Sequence, residues 1–262
     1  MSLFEGRGYQ LGKDILPSVT TVCDVLRKMG LEVWLGNTPK ADRDKQTERG
    51  KRIGSAIHAN FDAMFKGVGV NLETLEEELR PPLLAGIKFV MEKSPKTVAS
   101  ELVVASQKYK YAGTLDRVVI MPDGKKYVLD FKTTNKSKYS GTGIYPENFI
   151  QTAAYKEAYQ EMFDDPIDGT LIVRLDKDNP KGEYEIAIDK DPAKSFKAFL
   201  SALELFNYLH PDFYEKTKPH VILCSECYTA YRPQDTHQCL KEATSNETPA
   251  TTTDGVRASR NG

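Results

Sequence analysis

Two runs rich in Val, Ile, Leu and Tyr, Tyr111 to Met121 and Lys125 to Phe131, flank Pro122-Asp123-Gly124, a pattern that predicts a β-hairpin. The three intervening residues suit a type I turn followed by Gly124 in the left-handed conformation. Such a loop sets Met121 against Lys125, and the same register puts Asp116 opposite Asp130 and Thr114 opposite Lys132. Opposed residues have Cβ atoms about 4.5–5.5 Å apart and share a face. Asp116, Asp130 and Lys132 are therefore expected to converge. The other face, with Leu115, Arg117, Val119, Leu129 and Phe131, is mostly apolar and offers a side to bury against helices.

Helical periodicity dominates the flanks. Ser18 is a candidate N-cap for a short helix with Val19, Val22, Cys23 and Leu26 on one face, ended by Gly30. Residues 42–66 read as a longer helix with Ile53, Ile57, Met64 and Phe65 inward, and His58 follows Gly54 at i, i+4. Residues 72–93 give one or two helices interrupted near Pro81-Pro82, with Glu76-Glu77-Glu78 as a solvated run. A strand over about 97–106 carries Glu101. Pro146 begins a helix to about Phe163 that stacks Gln151 and Tyr155 on one face. Strands at 171–175 and 184–188 and an amphipathic helix at 192–209 follow. The sum is an α/β fold with a mixed central sheet flanked by helices.

Composition narrows this picture. With 262 residues, 40% of them hydrophobic, the chain can bury the core of one substantial domain, with or without an appendage. No apolar run is long enough to span a membrane and no N-terminal signal is evident, so a soluble, cytoplasmic protein with no membrane partner is expected. Four unevenly spaced cysteines do not resemble a secreted disulfide scaffold. From Ala243 onward small polar residues dominate, and disorder is expected.

Two opposed carboxylates repel at neutral pH unless a cation lies between them, and a hard divalent ion bound by oxygens is the usual remedy. Lys132 beside such an ion can orient a water or offset charge developing on a phosphorane-like transition state. A solvated cross-strand pair at a sheet edge is the alternative that these residues alone leave open.

Gly113-Thr114-Leu115-Asp116 followed by Asp130-Phe131-Lys132-Thr133-Thr134 resembles the PD-(D/E)XK nuclease superfamily, in particular its RecB-like exonuclease branch of phage and mitochondrial-genome-maintenance type. Glu101, the Q-x-x-x-Y of Gln151 to Tyr155, the Arg49-Gly50, Gly54 and His58 pattern, and Leu16 to Thr21 match further elements in the same order. The resemblance implies a restriction-endonuclease-like core. It makes Asp116, Asp130, Lys132, Glu101, Gln151 and Tyr155 the catalytic set, and His58, Asp116 and Asp130 the ligands of catalytic Mg²⁺ or Mn²⁺. A nitrogen ligand in an oxygen site favours tolerance of manganese.

The implied activity is hydrolysis of phosphodiester bonds in DNA, single-stranded or with free ends, in phage recombination, replication or repair, alongside a recombination or replication protein. A structure-specific endonuclease and a non-catalytic DNA-binding module on the same fold are the alternatives. A net charge of −1 confines DNA contact to a local basic groove, for which Lys108, Lys110, Lys125, Lys126, Lys136 and Lys138 are candidates.

Cys224-Ser-Glu-Cys227 followed by His237-Gln-Cys239 supplies four ligands suited to a tetrahedral structural Zn²⁺. Some RecB-like nucleases instead hold a 4Fe-4S cluster with one upstream and three downstream cysteines, an order that Cys23, Cys224, Cys227 and Cys239 copy. Unliganded cysteines are the third reading. The expected division is a nuclease domain over residues 1–210, a Cys/His-rich metal-binding appendage over 211–242, and a tail over 243–262.

Overall fold

The computed structural model of the chain describes residues 7–26, 32, 35–65, 74–134 and 143–239. Its centre is a five-stranded sheet built from β3 (Lys96–Ser106), β4 (Tyr111–Ile120), β5 (Lys126–Thr133), β6 (Gly169–Leu175) and β7 (Tyr184–Ile188) in that order. All neighbours are antiparallel except β5 and β6, so the sheet is mixed. The helix α4 (Pro146–Phe163) connects the parallel pair.

Alternation along the strands sends side chains into two cores. Val118 and Val128 pack with α1 (Val19–Cys23), α4 and α5 (Pro192–Leu209) on one face. Val119, Leu129 and Phe131 pack with α2 (Lys40–Phe65) and α3 (Arg80–Lys93) on the other. Phe196, Phe199, Leu203 and Phe206 form the buried stripe of α5. In α4, Ala153, Ala154 and Ala158 are fully buried, and their small size lets the helix lie close to the sheet. Among the described residues no helix is long and apolar enough to cross a membrane.

The expected hairpin turn forms. The Met121 amide donates to Lys125 O at 2.9 Å, the Gly124 amide donates to Met121 O at 2.8 Å, and Gly124 has φ 83°. That left-handed backbone is what the turn requires and what glycine supplies without strain. The pairs Ile120 with Lys126 through Arg117 with Leu129 then follow the expected register.

Beyond Arg117 and Leu129 the structure departs from expectation. The β4–β5 ladder stops there, so Thr114 is paired with Val103 of β3 and not with Lys132. The β3–β4 ladder pairs Ser100 with Arg117 and Leu102 with Leu115 but skips Glu101 and Asp116 between them. Leu115 consequently lies in the α1/α4/α5 core, whereas Phe131, expected on the same face, lies in the α2/α3 core.

Other expectations are corrected locally. The first helix ends at Cys23 with Asp24 as C-cap, well before Gly30, although Ser18 caps it as expected by accepting the Thr21 amide at 3.0 Å. The run Val19-Thr20-Thr21-Val22 is β-branched and propagates a helix poorly. Pro81 and Pro82 follow Arg80 in the first turn of α3, after a 3₁₀ turn at Glu77–Leu79, where their missing amides cost nothing. The acidic run before them is ion-paired with α2: Arg49 Nε is 2.7 Å from Glu78 and Arg52 contacts Glu76 and Glu78. Ile53 and Ile57 point inward and Met64 packs beside them, while the Phe65 side chain lies outside the described residues, as does the tail.

A second sheet was not foreseen. Its order is β2 (Asp14–Pro17), β1 (Gly8–Leu11), β8 (Pro219–Leu223), β9 (Ala230–Tyr231), and β1 runs parallel to β8. The stretch beyond residue 210, which includes the short α6 (Phe213–Lys216), thus shares a sheet with the N-terminal strands. Tyr9, Leu11, Leu16 and Leu223 pack with Ala105 and Ala112 of β3 and β4.

Candidate active site

The two skipped pairings open a fork in the central sheet where side chains from both faces meet. At its base the Asp116 carboxylate accepts the Phe131 amide at 2.9 Å. A side chain thereby satisfies a donor at the point where the β4–β5 ladder ends. On β3, Glu101 has φ 48°, a left-handed backbone that a residue with a Cβ adopts only at a cost. That twist stands beside Asp116, and Glu101 is turned toward α2.

From the α2 side, His58 Nδ1 lies 3.6 Å from Glu101 Oε1 and 3.6 Å from Asp116 Oδ1. This is too long for a hydrogen bond. Adjacent donors about 2.1 Å from one octahedral ion lie about 3.0 Å apart, so each pair needs to close by about 0.6 Å to share one. The donor atoms of His58, Glu101 and Asp116 all fall within 4.8 Å of one another. The set of one imidazole and two carboxylates fits a hard or borderline divalent cation.

From the α4 side comes a hydrogen-bonded relay. Lys132 Nζ is 2.7 Å from Asp130 Oδ2 and donates to Gln151 Oε1 at 3.3 Å. Gln151 Nε2 in turn donates to the Tyr155 hydroxyl at 3.0 Å. Tyr155 is buried against Gly113, where a Cβ would come within 2.6 Å of its Cε1. Glycine at 113 is therefore a steric requirement of the tyrosine's position.

The electrostatics reflect the crowding. Burial, and then the neighbouring Asp130, push Asp116 up to about 7, against the pull of His58, Lys132 and the Phe131 amide. Burial opposes charge on His58, yet Glu101, Asp116 and Asp130 outweigh it and push the imidazole up to about 9. Burial likewise works against the Lys132 ammonium, and Asp130 and Asp116 hold its pKa above the ordinary lysine value. Burial pushes the Tyr155 phenol well up, so it stays protonated.

The structure thus brings Asp116, Asp130, Lys132, Glu101, Gln151, Tyr155 and His58 to one fork. The grouping differs from expectation in one respect: Glu101 joins His58 and Asp116 as the clustered donors, while Asp130 is turned to Lys132. Three neighbours were not foreseen from the sequence. Arg117, buried, carries a guanidinium whose pKa burial lowers and whose charge Asp62, Glu101 and Asp116 favour. Asp62 stands one helical turn after His58, a spacing that could have flagged it. Tyr9 is the third, its hydroxyl 3.0 Å from Thr114 Oγ1.

The candidate DNA-binding lysines are dispersed. Lys125 and Lys126 stand at the hairpin turn, about 15 Å along the strands from the fork. Lys126 is engaged by Asp165 and Lys110 by Asp14. Lys108 lies over the Tyr109 ring. Lys136 and Lys138 fall outside the described residues.

The sequence profile of the PD-(D/E)XK nuclease superfamily matches residues 72–232, more than half the chain. The chain belongs to the PD-(D/E)XK nuclease superfamily. The matched span runs from the approach to α3 through the mixed sheet to β9, and so includes every fork residue except His58. A solved structure titled SSO0001 aligns with this superfamily member at 13% identity and TM-score 0.38, covering 82% of this chain and 81% of that one. A second, titled "Putative exonuclease" from Eubacterium rectale, aligns at 11% identity and TM-score 0.41, covering 75% and 79%. No curated protein sequence matches this nuclease-superfamily chain.

At the C-terminal end, Cys224, Cys227, His237 and Cys239 also bring their ligand atoms within 4.8 Å of one another. The Thr229 hydroxyl and amide draw the Cys227 thiol down to about 6. Cys23 is not part of that group: it is buried in the α1/α4/α5 core, close enough to Lys132 to favour its charge.

Proposed function

We propose that this chain is a divalent-metal-dependent deoxyribonuclease whose reaction centre is the fork in the central sheet. The observation that carries the reading is the meeting, across the two faces of one sheet, of the His58, Glu101 and Asp116 donors with the Asp130–Lys132 pair. A bound Mg²⁺ or Mn²⁺ would supply Lewis acidity and lower the pKa of the attacking water. His58, Glu101 and Asp116 would hold it, and Asp130 would add negative charge beside them.

The chain's own residues do the rest. Lys132, kept protonated by Asp130 and Asp116, offsets charge that grows on the scissile phosphate during in-line displacement. Gln151 restricts the Lys132 ammonium to one direction, and Tyr155 anchors Gln151. Placement and charge are nearly all that phosphodiester hydrolysis asks of a protein.

The exonuclease form of the reading, with a role in recombination, replication or repair, rests on the resemblance of the Gly113–Asp116, Asp130–Thr134 and Gln151–Tyr155 motifs to the RecB-like branch. Incubation of 5′- and 3′-labelled single- and double-stranded DNA with Mg²⁺ or Mn²⁺ tests it. Divalent-dependent release of terminal nucleotides is expected, with a loss of at least about 100-fold in Lys132→Ala and Asp130→Ala. Undiminished turnover in either variant overturns the site assignment. Cleavage of closed circular single-stranded DNA replaces exonuclease with endonuclease, and DNA binding without cleavage replaces enzyme with binding module.

A further inference from the structure

The C-terminal cluster shares no residue with the fork, and it poses a separate question of what holds the end of the chain in place. Cys224 and Cys227 lie on a tight knuckle between β8 and β9. There the Cys224 amide donates to Thr229 O, and the Tyr228 amide donates to Cys224 O, both at 3.0 Å, with Tyr228 at φ 58°. His237 stacks on Tyr231 with ring centroids 4.8 Å apart, which brings its Nε2 within 3.3 Å of Cys227 Sγ. Cys239 is buried beside them, and none of the cysteines is in a disulfide. Between β9 and Cys239 there is no regular secondary structure, and Cys239 is the one buried apolar side chain among residues 230–239. Packing alone gives this segment little reason to fold back onto β8.

We propose that Cys224, Cys227, His237 and Cys239 bind one structural Zn²⁺ that clasps the C-terminal segment onto the second sheet. Three thiolates and one imidazole form a closed tetrahedral set for zinc, with no position left for substrate. Ligands about 2.0–2.3 Å from a common ion lie about 3.3–3.8 Å apart. The four donor atoms, all within 4.8 Å, need only a small contraction to reach that spacing.

The geometry also decides against an iron–sulfur cluster that recruits Cys23. Cys23 lies by Lys132, which bonds Gln151 near the start of α4, whereas the knuckle's Tyr228 packs on Phe163 at the other end of that helix. The rise between Gln151 and Phe163 is about 18 Å. His237, unused in a cluster, completes the zinc set.

The clasp reaches the nuclease core through β8. This strand pairs in parallel with β1, and its His220 packs edge-on against Tyr9 at 4.5 Å, the residue whose hydroxyl meets Thr114 of β4. Loss of the ion therefore loosens the second sheet from the core without removing any fork residue.

The test is elemental analysis of the full-length protein purified without added metal, together with the absorption spectrum after exchange to Co²⁺. About one zinc per chain is expected, as are cobalt–thiolate charge-transfer bands with tetrahedral ligand-field bands. Both features should persist in Cys23→Ser and in Asp116→Ala. Cys227→Ser should lose the zinc and lower Tm by about 5 °C or more. If that variant is insoluble, thiol titration of the parent decides instead, with three cysteines protected until a chelator is added. Iron with visible absorbance that disappears in Cys23→Ser overturns the proposal. So does metal-free protein whose Cys224 and Cys227 react freely with a thiol reagent.

Discussion

Asp116 accepts the Phe131 amide at 2.9 Å, so one carboxylate both caps the end of the β4–β5 ladder and faces His58. These roles separate by substitution. Asp116→Asn keeps an oxygen that can accept the amide and removes the repulsion with Asp130. Its Tm in EDTA should equal or exceed that of the parent, while divalent-dependent cleavage falls at least about 100-fold. Asp116→Ala orphans the amide at a cost of about 1–3 kcal/mol. Equal destabilisation of the two variants would show that the amide bond contributes nothing.

Glu101 is held at φ 48° within a strand, and glycine is the residue that accepts such a backbone without strain. In an ordinary strand Gly is the less stable choice. Here Glu101→Gly should be more stable than Glu101→Ala by roughly 0.5–1 kcal/mol, since relief of the left-handed conformation outweighs the entropy of glycine. Both variants lose a metal donor and should lose activity alike. Chemical denaturation of the pair reads the order, and Ala above Gly removes the case for stored strain at Glu101.

What was legible in the sequence was what local chemistry decides. Pro122-Asp123-Gly124 specifies its own turn, and the turn specifies the register as far as Arg117 and Leu129. Pro146 and Pro192 mark helix starts in the same local way. The fork was not legible, because it depends on a side chain replacing a ladder bond and on a glutamate taking a glycine-like conformation. Neither leaves a compositional trace. The second sheet was hidden for another reason: β1 and β2 are four residues each, too short for alternation to show, and β1 finds β8 from the far end of the chain. Glu76 and Glu77 are solvent-exposed as expected, and the ion pairs of the run were hidden because the partners, Arg49 and Arg52, sit on a different helix.

The Lys132–Gln151–Tyr155 relay makes a kinetic prediction. Tyr155→Phe removes the acceptor of Gln151 Nε2 and should lower kcat by about 10-fold with little change in KM, because the relay positions a charge and does not bind substrate. Gly113→Ala should give the same kinetic signature by displacing the Tyr155 ring, and should also cost about 1–3 kcal/mol of stability. Because both act through one side chain, their effects on kcat should not add in the double variant. Full additivity, or a loss confined to KM, would place Tyr155 outside the relay.

Metal loading should be linked to protons, and the sign follows from the fork. Without an ion, His58 has a pKa near 9 and Asp116 near 7. At pH 7 the imidazole is therefore protonated and Asp116 is about half protonated. Both must shed protons to act as ligands, so divalent affinity should rise as pH increases through 7 and toward 9, and fall toward acid. Titration calorimetry with Mn²⁺ at pH 7, in two buffers of different ionisation enthalpy, should report release of about one to two protons per ion bound. His58→Ala should weaken binding and lower that number by less than one, since it removes a protonated group but also releases Asp116 from the imidazolium's pull and leaves it more protonated. Binding that is pH-independent between 6 and 9 would mean that the ion is held by groups other than His58 and Asp116.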